Sequence, residues 1–264
     1  MSGYKIILIN LGMLLGIICI FEFTDLDLII QDHFYIWAKH QWLVDKHALI
    51  PRMIFYTGIK VVIIVFGVLC LTGWVLSFKI KKFFGYRHFC MVMSLSLGVV
   101  PLTVSVLKDV SNVYTPSQIK RYGGDRPYIK VLEKKNQDKR TSTRSKGRGW
   151  PAGHASGGFS LMALYYAFSK RRCRKLGLFI GLAVGWTMGF YQMLKGAHFL
   201  SHTLVTMSIA WIWISFINSL ASDQTLHNFA HSLSRIVLLD YRKILKNKLG
   251  AETEMTFKTN HVGL

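Results

Sequence analysis

The chain has 264 residues, of which 51% are apolar and 17% charged, and its formal net charge is +20 at pH 7. Its apolar residues form long runs separated by short basic clusters, a pattern that excludes an ordinary soluble domain and is typical of a multi-pass membrane protein. Much of the positive charge falls in the loops between these runs and in the C-terminal segment. A nucleic-acid partner is therefore a poor explanation for the charge.

Six apolar runs predict an all-α fold, a bundle of six transmembrane helices. At about 1.5 Å of rise per residue, a helix of roughly 20 residues crosses the ~30 Å hydrocarbon core of a bilayer. In chain order, the runs cover residues 4–23, 59–78, 89–107, 154–169, 176–194 and 203–220. The fourth run is short and crosses only if its glycine-rich start is helical. The first lacks a small-residue cleavage site, so we expect a retained anchor and not a secretion signal.

Short basic loops predict the orientation of the bundle, because such loops stay in the cytoplasm. Basic clusters lie at residues 79–87 and 170–175, so both termini are expected to be cytoplasmic in a plasma (inner) membrane. The outer loops are then residues 24–58, 108–153 and 195–202. The segment 109–153 carries eleven basic and four acidic residues, which alone favours the opposite orientation, but long loops cross with less regard to charge. In either orientation the second and third of these loops share one side.

Outside the bundle, the C-terminal part of the chain has a different pattern. We expect a membrane domain over residues 1–222, an amphipathic helix on the inner leaflet over 223–250, and a flexible tail over 251–264. The four cysteines predict neither a disulfide framework nor a zinc site, and no metal or other cofactor is expected.

Three polar side chains lie where predicted spans end. Lys108 closes the third span, His154 opens the fourth, and His198 follows the fifth. The loop between the first two is basic and contains a Gly-Gly-Asp-Arg-Pro turn, and Gly153 lets the backbone approach a ligand closely. Cations, glycine-rich turns and helix N-termini bind phosphate. Two histidines in such a site suit phosphoryl transfer, one as nucleophile and one as general acid.

Two elements of the sequence resemble motifs of the type 2 phosphatidic acid phosphatase (PAP2) superfamily, which also includes the vanadium haloperoxidases. Residues 151–154, Pro-Ala-Gly-His, resemble its Pro-Ser-Gly-His element, and residues 196–202 resemble its third element, Ser-Arg-x5-His-x3-Asp. The resemblance covers about residues 100–215. It implies a six-helix bundle with the site at the outer face, and hydrolysis through a phosphohistidine without a metal. It also implies that His198 is the nucleophile and His154 the acid.

The first element of the family, Lys-x6-Arg-Pro, is altered in this chain. Counted from Lys108, the spacing ends at Thr115 in place of arginine. Counted from Lys120, Arg126 is reached with one intervening residue too few. We expect Lys108 to bind phosphate, because it lies at the end of a span, and Arg126 to supply the guanidinium.

The third element is altered at two positions. Gln192 replaces the arginine six positions before His198, and Lys195 is expected to compensate for its charge, although an ammonium lacks the planar fork of a guanidinium. His202 stands where the family has the aspartate that orients the nucleophile. Loss of such a carboxylate lowers the rate by up to about 10⁴-fold in serine proteases. Either another acid such as Asp125 replaces it, or the chemistry is slow, or the site is no longer active.

The function that we expect is hydrolysis of a terminal phosphate from a lipid or lipid-linked substrate. The motifs do not choose among phosphatidic acid, phosphatidylglycerophosphate, polyprenyl diphosphate and lipid A. Two alternatives remain open at this point. One is transfer of the phosphoryl group from His198 to a second lipid, and the other is a non-catalytic protein that binds lipid phosphate.

Overall fold

A computed structural model of the chain describes residues 3–133 and 146–222. The predicted C-terminal amphipathic helix and tail lie outside the described residues. The regular elements, in chain order, are α1 (Gly3–Phe23), α2 (Leu26–Asp32), β1 (Tyr35–Ile36), β2 (Gln41–Trp42), α3 (Leu49–Arg52), α4 (Ile59–Leu76), α5 (Arg87–Ser111), α6 (Gly153–Ser160), α7 (Leu164–Ala167), α8 (Arg171–Leu194) and α9 (Leu200–Ser222). The strands form one antiparallel hairpin.

Five segments of the described chain are long and apolar enough to cross a membrane, judged by length and composition. They contain α1, α4, α5, α8 and α9, and thus five of the six predicted runs. The fourth run differs: α6 and α7 are short and are joined by a 3-10 turn at Leu161–Ala163. The helical membrane fold is therefore confirmed, whereas a sixth crossing stays a prediction.

Exposed apolar side chains cover much of α1 and α4. Only 6% of the most apolar window of α1 and 17% of that of α4 are buried. Leu15 is 62% exposed and Val62 is 67% exposed. In water such surfaces would be costly, but against lipid tails they need no protein partner.

Glycines bring the backbones of α6 and α8 into contact. Gly177, Gly181, Gly185 and Gly189 recur every four residues along α8 and so lie on one face of the helix. A Cβ added at Gly158 of α6 would lie only 2.7 Å from the Cα atom of Gly185. Small residues permit such close helix packing in membranes. This packing fixes the start of α6 relative to the end of α8.

The three predicted outer loops lie together at one end of the helices. In the first loop, the side-chain amide of Gln31 donates to the carbonyl of Met193 at 2.9 Å. In the second, the backbone N–H of Ser117 donates to the carbonyl of Gly196 at 2.9 Å. Phe199 is fully buried in an aromatic and aliphatic cluster with residues of the first two loops. The segment that carries His198 is therefore packed between the other two loops.

Candidate active site

Two histidine rings meet at this end of the helices. The Nδ1 atom of His154, at the start of α6, lies 3.0 Å from the Nε2 atom of His198, in the connection between α8 and α9. The ring of His198 is 1% exposed, and the ring of His154 is partly buried. In this hydrogen bond one ring donates its N–H and the other accepts with its lone pair. The bond therefore couples the tautomer of one ring to that of the other.

The end of α5 holds the segment that precedes α6. Asn112 ends the helix in the left-handed conformation, with φ of 52°, and its side-chain oxygen accepts the N–H of Gly147 at 2.9 Å. The hydroxyl of Ser111 donates to the carbonyl of Trp150 at 2.7 Å. These bonds explain why the motif at residues 151–154 lies beside the last turn of α5.

Lys108 comes from that last turn and lies against Gly153. A Cβ at Gly153 would be 3.2 Å from Cδ and 3.4 Å from Nζ of Lys108, closer than most side chains tolerate. Glycine at this position thus leaves room for the lysine beside the histidine that follows. Lys120, the other candidate for the first motif, is exposed in a 3-10 turn.

Three lysines surround His154, and a tyrosine ring lies between them. The ring centroids of Tyr56 and His154 are 4.9 Å apart. The ammonium groups of Lys60 and Lys195 lie 5.8 and 5.9 Å from the centroid of Tyr56. Lys108, Lys195 and Lys60 all interact electrostatically with His154, and none of them makes a salt bridge with a described carboxylate. The positive field at His154 therefore favours an anionic ligand.

A cavity of about 660 Å³ opens between α4, α5 and α6, with His154 in its wall. One end is polar and is lined by Tyr56, Lys60, Lys108, Arg148 and His154. The remaining wall is mainly apolar and includes Ile63, Ile64, Gly67, Val68, Leu71, Leu97, Gly98, Pro101 and Met188. Cavities of this size and mixed lining are typical of small-ligand sites.

The surroundings of His198 keep its ring neutral. Burial is the main cause that lowers the pKa of His198 well below its usual value, and the charges of His154, His202 and Lys108 act in the same direction. The backbone carbonyl of Gly149 opposes this shift. However, Nδ1 of His198 makes no well-formed hydrogen bond within the described residues, so this carbonyl is a weak partner. A neutral imidazole keeps the lone pair that a nucleophile needs.

His202 and Gln192, which stand where the resembled motif has charged residues, are both buried at the site. They are 2% and 0% exposed, and the ring centroid of His202 is 5.8 Å from that of His198. Both amide atoms of Gln192 have no partner in the part of the chain that the structure describes, and Nδ1 of His202 makes no well-formed hydrogen bond there, so the carbonyl of Gly149 is only a weak partner for it. Their backbone carbonyls, in contrast, are bonded: His202 accepts from Ala152 at 3.1 Å and Gln192 from Ala197 at 2.8 Å.

The predicted guanidinium is placed differently from expectation. Arg126 contacts its neighbour Asp125, with 3.3 Å between Nε and Oδ1, and its guanidinium lies 5.4 Å from the centroid of Tyr114. Among the described residues that line the cavity, the guanidinium belongs to Arg148, which also pairs with Asp109 at 2.5 Å. Asp125 is 63% exposed, so it is not the buried acid that the motif lacks.

Sequence reasoning did not select Tyr56, Lys60 or Arg148. The sequence could have indicated Arg148, because this cation lies only three residues before the motif at residues 151–154. Tyr56 had none: a π-helical turn at Met53–Gly58 orients it, and such turns have no simple sequence pattern. Within residues 3–133 and 146–222, no three His, Cys, Asp or Glu side chains are grouped as metal ligands.

Comparison with known proteins gives one match. The sequence profile of the PAP2 superfamily matches residues 89–226, which include both histidines and Lys108. No curated protein sequence and no solved structure matches the chain significantly.

Proposed function

The chain belongs to the PAP2 superfamily, and on this premise we propose that it is a membrane enzyme that removes a terminal phosphate from a lipid or lipid-linked substrate. The observation that carries the proposal is the 3.0 Å contact between the rings of His154 and His198 at the polar end of the cavity. Two imidazoles at this distance, one of them in the cavity wall, suit nucleophilic attack and proton transfer at one phosphorus atom.

In the proposed reaction, Nε2 of His198 attacks phosphorus while the bond from phosphorus to the ester oxygen breaks. The dianionic phosphate offsets the charge of the three lysines around His154 and so favours protonation of its ring. His154 then gives this proton to the departing oxygen, which leaves as an alcohol. Water then attacks the phosphohistidine, His154 takes up one of its protons, and inorganic phosphate is released. The ring-to-ring hydrogen bond must open for the first step, because the phosphoryl group takes its place.

Cations at the polar end bind the phosphate oxygens in this proposal. Lys108 lies beside Gly153, and Lys195 lies close to His154. Arg148 supplies a guanidinium from the cavity wall. Hydrogen bonds from charged groups contribute about 1.5–3 kcal/mol each.

The shape of the cavity favours a lipid over a soluble phosphate ester. Lys60 and Leu71 mark its ends along α4, and eleven residues of helix span about 16 Å. A hydrocarbon chain along this wall would keep the phosphate at the lysines. Because short basic loops stay in the cytoplasm, we propose that the polar end of the cavity faces the outer side of a plasma (inner) membrane, with the N-terminus in the cytoplasm.

The experiment is phosphate release from a panel of lipid phosphates in detergent, with the wild type, His198→Ala and the control His47→Ala. His47 is exposed in the first outer loop. We expect release by the wild type and the control, and loss of it in His198→Ala while that variant remains folded, with some loss of thermal stability from the cavity that the ring leaves. Equal release by all three proteins would remove the nucleophile assignment. Labelled phosphate on a second lipid would show transfer, and tight binding without release would show a non-catalytic protein.

A further inference from the structure

Helix α2, which precedes the family-matched region, holds both ends of the segment that carries His198. Its side chains Asp27 and Gln31 are 4% and 0% exposed, unusual for polar residues of an outer loop. Gln31 donates to the carbonyl of Met193 at the end of α8. Asp27 accepts two hydrogen bonds from Ser201 at the start of α9, from its N–H at 2.9 Å and from its hydroxyl.

Asp27 and His202 line the same small cavity. Its volume is about 20 Å³, and Ser201, Tyr128 and Trp150 also contribute to its wall. A polar cavity above about 10–15 Å³ holds one water molecule. His202 lines this cavity and has only the backbone carbonyl of Gly149 as a weak partner for its ring, and a carboxylate oxygen accepts more than one hydrogen bond. One water molecule can therefore connect the carboxylate of Asp27 to the ring of His202.

We propose that Asp27 takes the place of the acid that His202 has displaced from the third motif. Asp27 positions His198 through its hydrogen bonds to Ser201 and to a water shared with His202. Its negative charge favours the positive ring that forms when Nε2 of His198 attacks phosphorus. The inference rests on the proposed function. Asp27 does not touch the substrate and is a positioning residue.

The charged groups around Asp27 come from three elements. Lys130 and Tyr128 line its cavity from the second loop, Glu22 from the end of α1, and His202 from α9. Lys130 itself pairs with Asp25 at 3.1 Å and favours the ionised form of Asp27. Burial outweighs this and raises the pKa of Asp27 to about 6. At pH 7 the carboxylate is thus charged, and it takes up a proton in mildly acidic solution.

The test is Asp27→Asn, which keeps the shape of the side chain and removes its charge. We expect kcat to fall by about 10- to 100-fold, as it does when residues that orient the ligands of a metal are replaced, with KM unchanged. The wild-type kcat should decline below pH 6, and the variant should lack this decline. Because the substrate phosphate also titrates near pH 6, both proteins are compared on one substrate. Asp27→Glu should recover part of the rate.

Gln31→Leu is the matched control. It removes the other contact between α2 and the His198 segment without changing charge, so it should keep the wild-type pH profile. The inference is overturned if Asp27→Asn keeps the wild-type kcat, or if Gln31→Leu reproduces the profile of Asp27→Asn.

A readout that needs no turnover separates this inference from the proposed function. In protein with ¹⁵N-labelled histidine, Asp27→Asn should lower the pKa of the His198 ring, measured by NMR and assigned with His198→Gln. If the wild type releases no phosphate and this shift is present, the proposed function fails while the placement of the charge stands. An unchanged pKa of His198 contradicts the inference whatever the activity.

Discussion

The rings of His154 and His198 are 3.0 Å apart, although 44 residues separate them in the chain. The contact depends on two features of the fold. Backbone packing at Gly158 and Gly185 holds α6 against α8, and α2 holds the segment after α8 at Met193 and Ser201. A shift of about 1 Å in either would separate the rings, and misplacement of that size can lower an enzymatic rate by about 100-fold.

Substitution of His154 should affect substrates according to their leaving group. As general acid, His154 is needed most when the departing oxygen is strongly basic, so His154→Gln should lower kcat for an alkyl lipid phosphate by about 10²- to 10⁴-fold. The kcat of the variant for an aryl phosphate should fall far less, because a phenolate leaves without a proton from His154. The measurement is kcat for both substrates with wild type and variant. An equal loss on the two substrates contradicts the role of His154 as acid.

Arg148 and Arg126 should differ in their effect on substrate affinity. Arg148 lines the cavity, whereas Arg126 lies against Asp125 and Tyr114. Arg148→Gln should lower kcat/KM by about 10- to 100-fold, the value of one charged hydrogen bond to phosphate. Arg126→Gln should leave it within about threefold. Inhibition by orthovanadate, a phosphate mimic, should weaken in parallel. A larger loss of kcat/KM in Arg126→Gln than in Arg148→Gln would assign the phosphate-binding guanidinium to Arg126, as the sequence predicts.

A bulky residue at Gly98 should discriminate between lipid and soluble substrates. Gly98 lines the apolar wall of the cavity, and a Cβ there meets no atom within 4 Å. Gly98→Phe should therefore fill the cavity without a backbone clash, raise KM for a lipid phosphate and spare a short soluble phosphate ester. Gly12→Phe is the control, because Gly12 on α1 has the same free space and does not line the cavity. Equal effects on both substrates would argue against a lipid chain at this wall.

The charge of Asp27 should lower stability above pH 6. Burial raises the pKa of Asp27 from 3.8 to about 6, so the folded chain binds this proton more tightly than the unfolded chain. The contribution to the free energy of unfolding is present below pH 4 and is lost as pH rises through 6, by about 3 kcal/mol at most. Relative to Asp27→Asn, the wild type should therefore lose thermal stability between pH 4 and 7. If the thermal stability of the two proteins changed equally with pH, Asp27 would not be a buried carboxyl group that ionises in this pH range.

The helices and the two histidine segments were predictable, because each leaves a strong local signal. Runs near twenty apolar residues indicate spans, and the alternation of the six predicted spans puts His154 and His198 on one side of the bundle. The structure of the fourth run was less predictable: the glycines of α6 pack against α8, and the helix ends in a 3-10 turn that begins at Leu161.

The surroundings of the histidines were not predictable, because long-range contacts create them. Asp27 reaches Ser201 across 174 residues, and no local pattern distinguishes it from Asp25, which is exposed. Arg126 fits the family spacing more closely than Arg148, yet a nearby aspartate and an aromatic ring hold it away from the cavity wall. Burial and pairing, which decide these roles, follow only from the folded chain.

Trapping of the covalent intermediate tests the central claim most directly. Wild-type protein is mixed with a ³²P-labelled lipid phosphate, quenched in alkali within milliseconds, digested and analysed by mass spectrometry. The account predicts an alkali-stable, acid-labile phosphoryl group on His198 that disappears on a chase with unlabelled substrate. Phosphate release with no label on His198, or with the label on another residue, would contradict it.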